Sequence, residues 1–178
     1  VSNFVLENIE KLKSILNIIA EDNIEIGTYN INITKSGKAN NKSGPFPKSP
    51  GIYIFHCSEF NKFNENWLAF KDKTKKVPRI NEERIEIKNK GSRVIYVGRR
   101  FESLSKRLNQ HLQVKTDKAS TYAMYLGSFA KFIGEELNLE IMTFSFNSDL
   151  DNAKQNIVIA ALEAMFHAEL QPLIGSSR

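Results

Sequence analysis

Cysteine is nearly absent: Cys57 is the only one in 178 residues, which excludes an intramolecular disulfide and a Cys-rich zinc site. A lone thiol near the end of an apolar run reads as packing and is given no role. Long hydrophobic runs are absent too. The longest, Ile157–Leu162, falls far short of the roughly 20 apolar residues of a membrane-spanning helix. The N-terminus, Val1-Ser-Asn-Phe-Val-Leu-Glu7, lacks the basic stretch and small-residue cleavage site of a secretory leader. A cytoplasmic protein with no membrane partner is therefore expected. The chain starts without Met and stops at Gly175-Ser-Ser-Arg178, which reads as trimmed ends or part of a longer protein. With 41% hydrophobic residues, the composition is that of one globular domain rather than a disordered or fibrous chain.

Positive charge is present and unevenly placed. Residues 66–107 hold 13 Lys and Arg against 5 Asp and Glu, a net +8 in a chain whose total is +5. Lys71, Lys73, Lys75, Lys76 and Arg79 form one cluster, and Arg99, Arg100, Lys106 and Arg107 another. Such clusters suit a run of phosphates, although a charge run by itself is more often a solvated surface.

Periodicity gives the order of elements. Phe4, Leu6, Ile9, Leu12, Leu16 and Ile19 recur at mostly three- and four-residue steps and predict an amphipathic helix over residues 3–20. Ile24 to Thr34 is closer to period two and predicts extended structure or a short hairpin. Residues 35–50 carry three prolines and two glycines and read as a loop. The core domain is expected to begin after it, so residues 1–50 read as an N-terminal extension and 51–178 as the main domain.

Within that domain, Gly51–Phe55 and Ser92–Val97 are β runs, the second reading as the outgoing arm of a hairpin that turns at Asn89-Lys90-Gly91. Leu104, Leu108 and Leu112 predict a helix over 102–114, and the aromatic pattern from Tyr122 to Ile133 a second over 120–137. Leu139–Phe146 is apolar on both faces and reads as a central strand. Ser148-Asp-Leu-Asp offers an N-cap to a helix over Asn152–Leu170, which Pro172 and Gly175 terminate. The order is strand, strand, helix, helix, strand, helix, with residues 57–91 inserted between the first two strands. In that insertion Phe60, Phe63, Trp67 and Phe70 predict a short helix, either a packing stripe or a nucleic-acid-contacting elaboration.

A few residues carry chemical potential. Glu163 is the only ionisable group in Ile157–Phe166. An unpaired carboxylate in a buried apolar helix costs several kcal/mol, so it reads either as a rim residue paired with Lys or Arg or as a ligand for a hard divalent cation. Arg107 and His111 lie four apart on one helix face; the first could fork onto a phosphate and the second accept or donate a proton, unless the face is simply solvated. Tyr53 and Tyr96 sit mid-strand, each two residues from a glycine, and could be core residues or could project hydroxyls from one sheet face.

Gly51-Ile52-Tyr53, Tyr96-Val97-Gly98, Arg107 eleven residues after Tyr96, His111 four further on, and Glu163 on the last helix nine before a proline together resemble the GIY-YIG nuclease superfamily. The resemblance covers roughly residues 51–175. It implies an α+β fold in which a three-stranded antiparallel sheet is flanked by helices, here with an N-terminal helical extension and an insertion between the first two strands. It implies hydrolysis of a nucleic-acid phosphodiester, with one divalent metal, Mg²⁺ or Mn²⁺, on Glu163. Tyr53 or Tyr96 would orient or deprotonate the water, Arg107 would bind the scissile phosphate, and His111 would assist as a hydrogen-bonding or proton-transfer partner. Arg99, Arg100, Lys106, Lys73, Lys75 and Lys76 would contact nucleic acid. Two departures stand out: Arg99 replaces the Lys that many members carry after the second motif's glycine, and Leu173-Ile-Gly-Ser replaces the Asn that often follows the proline. Small members with such additions are often restriction endonucleases, so the expectation is a type II enzyme acting on double-stranded DNA as a homodimer. A nicking, repair or mobile-element nuclease, or an inactive nucleic-acid-binding module, is the alternative.

Overall fold

The computed structural model describes residues 24–80, 93–119, 121–146 and 151–175; the helix expected over 3–20, the turn at Asn89–Gly91 and the expected cap at Ser148 lie outside them. Among the described residues five strands and four helices follow in the order β1 (Ile24–Ile33), β2 (Ala39–Asn41), β3 (Gly51–Cys57), α1 (Phe60–Lys73), β4 (Val94–Arg100), α2 (Leu104–Leu112), α3 (Leu126–Ile133), β5 (Leu137–Phe146) and α4 (Asn152–Leu170).

The sheet is antiparallel, with spatial order β2-β1-β5-β3-β4. It has five strands, not the three expected. The two extra strands come from the region before Gly51. There Ile31 and Ile33 are buried, and β1 pairs with β5 from Ile24↔Phe146 to Ile33↔Leu137. A strand with one apolar face needs both a core to cover it and a partner for its amides, and β5 supplies the second. β5 is thereby flanked on both sides, as its two apolar faces suggested.

Each face of the sheet has its own core. On one side Tyr53, Phe55, Ile95 and Ile141 pack with Leu104, Leu108, Phe129 and the aromatic stripe of α1. Phe63, Trp67 and Phe70 are buried there, Phe63 stacked on Trp67 and all three in tilted or edge-on contact with Phe129, so α1 is a fourteen-residue packing helix. On the other side Ile52, Ile54, Val94 and Val97 meet Val158 and Ile159 of α4. α4 is not buried all round as its composition suggested: only one face meets the sheet, and Ile157 and Met165 are exposed. Asp151 caps it, its Oδ1 accepting from the Ala153 amide at 2.8 Å.

Two expected boundaries move. β4 runs past the second motif to Arg100 because Gly51, Ile52 and Tyr53 pair with Arg100, Arg99 and Gly98. α3 begins only at Leu126, since Tyr125 before it takes a left-handed φ of 51°.

Candidate active site

The pairing of β3 with β4 sets Tyr53 opposite Gly98 and Phe55 opposite Tyr96, so both tyrosines rise from the face that α2 covers. Their rings stack with centroids 6.1 Å apart. Gly98 leaves room for them: a Cβ there would lie 2.6 Å from Tyr53 Oη and 2.7 Å from Tyr96 Cε1. Gly51 serves the strand pairing instead, because a Cβ on it would meet the Phe144 carbonyl oxygen at 2.1 Å.

α2 starts where Pro47 and Ser49 carbonyls accept the amides of Ser105 and Leu104, which fixes the helix against the sheet. Leu104, Leu108 and Leu112 are buried, and the face that carries Arg107 and His111 then meets the tyrosines. His111 is wholly buried, not on a solvated face. The Met124 amide donates to its Nδ1 at 3.1 Å, so in the neutral ring Nε2 carries the proton and donates to Tyr53 Oη at 2.9 Å. Burial, and then the charge of Arg107, hold the imidazole well below its usual pKa.

Arg107 donates from Nε to Tyr53 Oη at 3.3 Å and from Nη1 to Gln110 at 3.2 Å. With two donors on its oxygen, Tyr53 directs its own hydroxyl proton elsewhere, and the Tyr96 phenol stacked beside it feels both Tyr53 and Arg107, whose influence opposes the rise of its pKa. His111 and Arg107 thus donate to Tyr53, and Tyr96 stacks beside it. Burial pushes both phenols above their usual pKa, Tyr53 further. Tyr53 is 1% exposed; Tyr96 is only partly buried and reaches the surface.

Glu163 projects from α4, half-buried, and Arg99 holds it at 2.8 Å between Nη1 and Oε2. Burial pushes the carboxyl up and Arg99 opposes it. The rim-pair expectation is therefore realised, and the carboxylate lies close enough to act electrostatically on both tyrosines. Among the described residues no three His, Cys, Asp or Glu side chains converge on a metal position. The donor chemistry still suits one hard divalent cation: Mg²⁺ is commonly held by a single carboxylate, with waters and substrate phosphates completing its shell.

The structure thus gathers Tyr53, Tyr96, Arg107, His111 and Glu163, with Arg99 on the carboxylate. Arg100 pairs with Glu102 at 2.6 Å, and Lys106 is exposed one residue before Arg107. Lys73, Lys75 and Lys76 do not touch this cluster. They are exposed at and beyond the end of α1, Lys73 lying over the Phe132 ring at 5.1 Å. Two contributors escaped the sequence reading. Gln110 sits three residues after Arg107, a spacing that could have flagged it; the Met124 amide leaves no side-chain signal at all.

A buried His–Tyr pair, a surface-reaching Tyr stacked on it, an Arg and a neighbouring carboxylate can orient a water and neutralise developing phosphate charge. The GIY-YIG catalytic domain model matches residues 51–160, and the chain belongs to that family. It is an endonuclease, a phosphodiester hydrolase whose substrate is nucleic acid, from a family whose members generally depend on a divalent metal. No curated protein and no solved structure matches the chain. Among the described residues no helix is long and apolar enough to cross a membrane.

Proposed function

We propose that this nuclease is a metal-dependent type II restriction endonuclease that cuts double-stranded DNA, two copies acting on the two strands. The observation that carries the catalytic part is the hydrogen bonding of Tyr53 by both His111 and Arg107, with Tyr96 stacked on Tyr53 and reaching the surface.

Tyr96 is the residue that faces the attacking water, on the ground of its exposure. It acts as the phenolate, its own proton lost to solvent before the attack: its Oη accepts a hydrogen bond from the water and takes the water's proton as the new P–O bond forms and the old one breaks, while the Tyr53 hydroxyl and Arg107 stabilise the phenolic oxygen. His111 is a donor, not a base: its acceptor nitrogen is occupied by Met124. The remaining donors of Arg107 bind the scissile phosphate and offset the charge that builds on its oxygens. Glu163 would hold Mg²⁺ or Mn²⁺. A cation there would stabilise the departing oxygen and lower the cost of an anionic Tyr96. Arg99, Arg100 and Lys106 beside the cluster, and Lys73, Lys75 and Lys76 beyond α1, bind the DNA backbone and supply affinity without sequence information.

The sequence-specific part rests on a basic insertion in a small chain, and digestion of bacteriophage genomic DNA tests it. Discrete bands that disappear with EDTA are expected. Nicked plasmid without genomic banding would favour a repair or mobile-element nuclease.

A further inference from the structure

After α1 the chain turns at Lys76, whose φ of 62° is left-handed, and runs on to Ile80. It is pinned throughout. Val77 is buried, and Trp67 Nε1 donates to the Pro78 carbonyl at 3.1 Å. The Ala123 amide donates to the Lys76 carbonyl at 3.3 Å, and the Gly175 amide to the Arg79 carbonyl at 3.0 Å. Ile80 also bridges Ile174 in antiparallel fashion. The segment around Gly175 is in turn bonded to β4, Leu173 and Ile174 donating to the Val94 and Ile95 carbonyls.

Both main anchors end one step from the active site. Ala123 precedes Met124, whose amide fixes the His111 ring. Gly175 lies against Tyr96, where a Cβ would be 3.1 Å from Cε2. The side chains of Lys75, Lys76 and Arg79 meanwhile point to solvent. Cations and site-setting hydrogen bonds therefore share one short stretch of backbone.

We propose that residues 74–80 form a substrate-binding positioning arm: Lys75 and Arg79 grip the nucleic-acid backbone beside the cut, and the carbonyls of Lys76 and Arg79 hold His111 and Tyr96 in register. A non-glycine left-handed residue is a local cost that persists where surrounding contacts demand it, and the demand here is the pair of anchors. The inference rests on the nuclease reading and adds Arg79, with the backbone of the arm, to its substrate site.

The charge and the backbone are tested separately. Binding is measured with a short DNA duplex in calcium buffer across a salt series, cleavage with the same duplex at saturating enzyme in magnesium. Arg79→Gln leaves the backbone intact and is expected to reduce the slope of log affinity against log salt by about 1. Lys76→Gly and Lys76→Val remove the same cation, but only valine resists the left-handed φ. Relative to glycine, valine is expected to slow single-turnover cleavage by up to about 100-fold and to move the ¹⁵N signal of His111 Nδ1. An unchanged salt slope in Arg79→Gln overturns the gripping role. Equal rates and unmoved His111 signals in the Lys76 pair overturn the positioning role. Both failures leave the nuclease reading intact if wild type cuts and Glu163→Gln does not; a wild type that neither binds nor cuts removes the nuclease reading and this inference together.

Discussion

His111 donates to Tyr53 through Nε2 at 2.9 Å because the Met124 amide occupies its other ring nitrogen. The geometry works only with a neutral imidazole, since a proton on Nδ1 would point at an amide hydrogen. Burial keeps the ring neutral by lowering its pKa well below the ordinary value. An unfolded chain takes up that proton near the usual histidine pKa of about 6.5, and the folded chain does so only at lower pH. Folding stability is therefore complete above about pH 6.5 and falls as pH drops below it, with a slope of up to about 1.4 kcal/mol per pH unit for each such histidine. His56, lowered chiefly by burial, adds in the same direction. Thermal melts from pH 8 to 5 are expected to show a shallower acid limb in His111→Gln than in wild type.

The two tyrosines have different duties on this account. Tyr96→Phe removes the water-facing oxygen and is expected to slow cleavage by about 100- to 10,000-fold with little loss of stability. Tyr53→Phe leaves the buried His111 Nε2–H without its acceptor, which costs about 1–3 kcal/mol of stability. It also removes an influence that lowers the Tyr96 pKa but leaves the water-facing oxygen in place, so its rate loss is expected to be the smaller. Denaturant titration and single-turnover rates on both variants check the assignment; the reverse ranking of rates would make Tyr53 the water-facing residue.

Gly98 is the floor on which both rings lie. Gly98→Ala brings a methyl to 2.6 Å from Tyr53 Oη and 2.7 Å from Tyr96 Cε1, so at least one ring must move. Rate loss approaching that of Tyr96→Phe is expected in a protein that still melts cooperatively, with the altered aromatic packing read from near-ultraviolet circular dichroism.

Much of this was legible in sequence because it is local. The alternation in Gly51–Phe55, the leucine spacing of α2 and the four-residue step from Arg107 to His111 each report a single element, and each element forms. What escaped depends on partners far along the chain. β1 reads as extended from its own residues, but its pairing with β5, more than a hundred residues away, is set by which strand edge is left open. The aromatic steps from Tyr122 to Ile133 resemble a longer helix, yet Ala123 and Met124 stay out of it, their amides engaged by Lys76 and His111. At Glu163 the lone carboxylate announced itself, while the identity of its cation partner, Arg99 on the edge strand, needed the fold.

A metal on Glu163 would share the carboxylate with Arg99. Replacing it is expected to raise Mn²⁺ affinity at pH 8 by up to about fivefold, because a partly exposed ion pair contributes about 1 kcal/mol at most. Burial raises the Glu163 pKa and Arg99 opposes that rise, so in Arg99→Ala the carboxylate protonates at a higher pH and the acid limb of Mn²⁺ binding moves up. Electron paramagnetic resonance titration of free Mn²⁺ against both proteins measures both shifts without reference to activity.

The most direct test is cleavage of supercoiled plasmid by purified protein in magnesium or manganese, beside EDTA and beside Glu163→Gln. The account predicts linear or nicked product with metal and intact supercoil in both controls. Product that persists in EDTA or with Glu163→Gln, or tight DNA binding with no cutting under any metal, would contradict it.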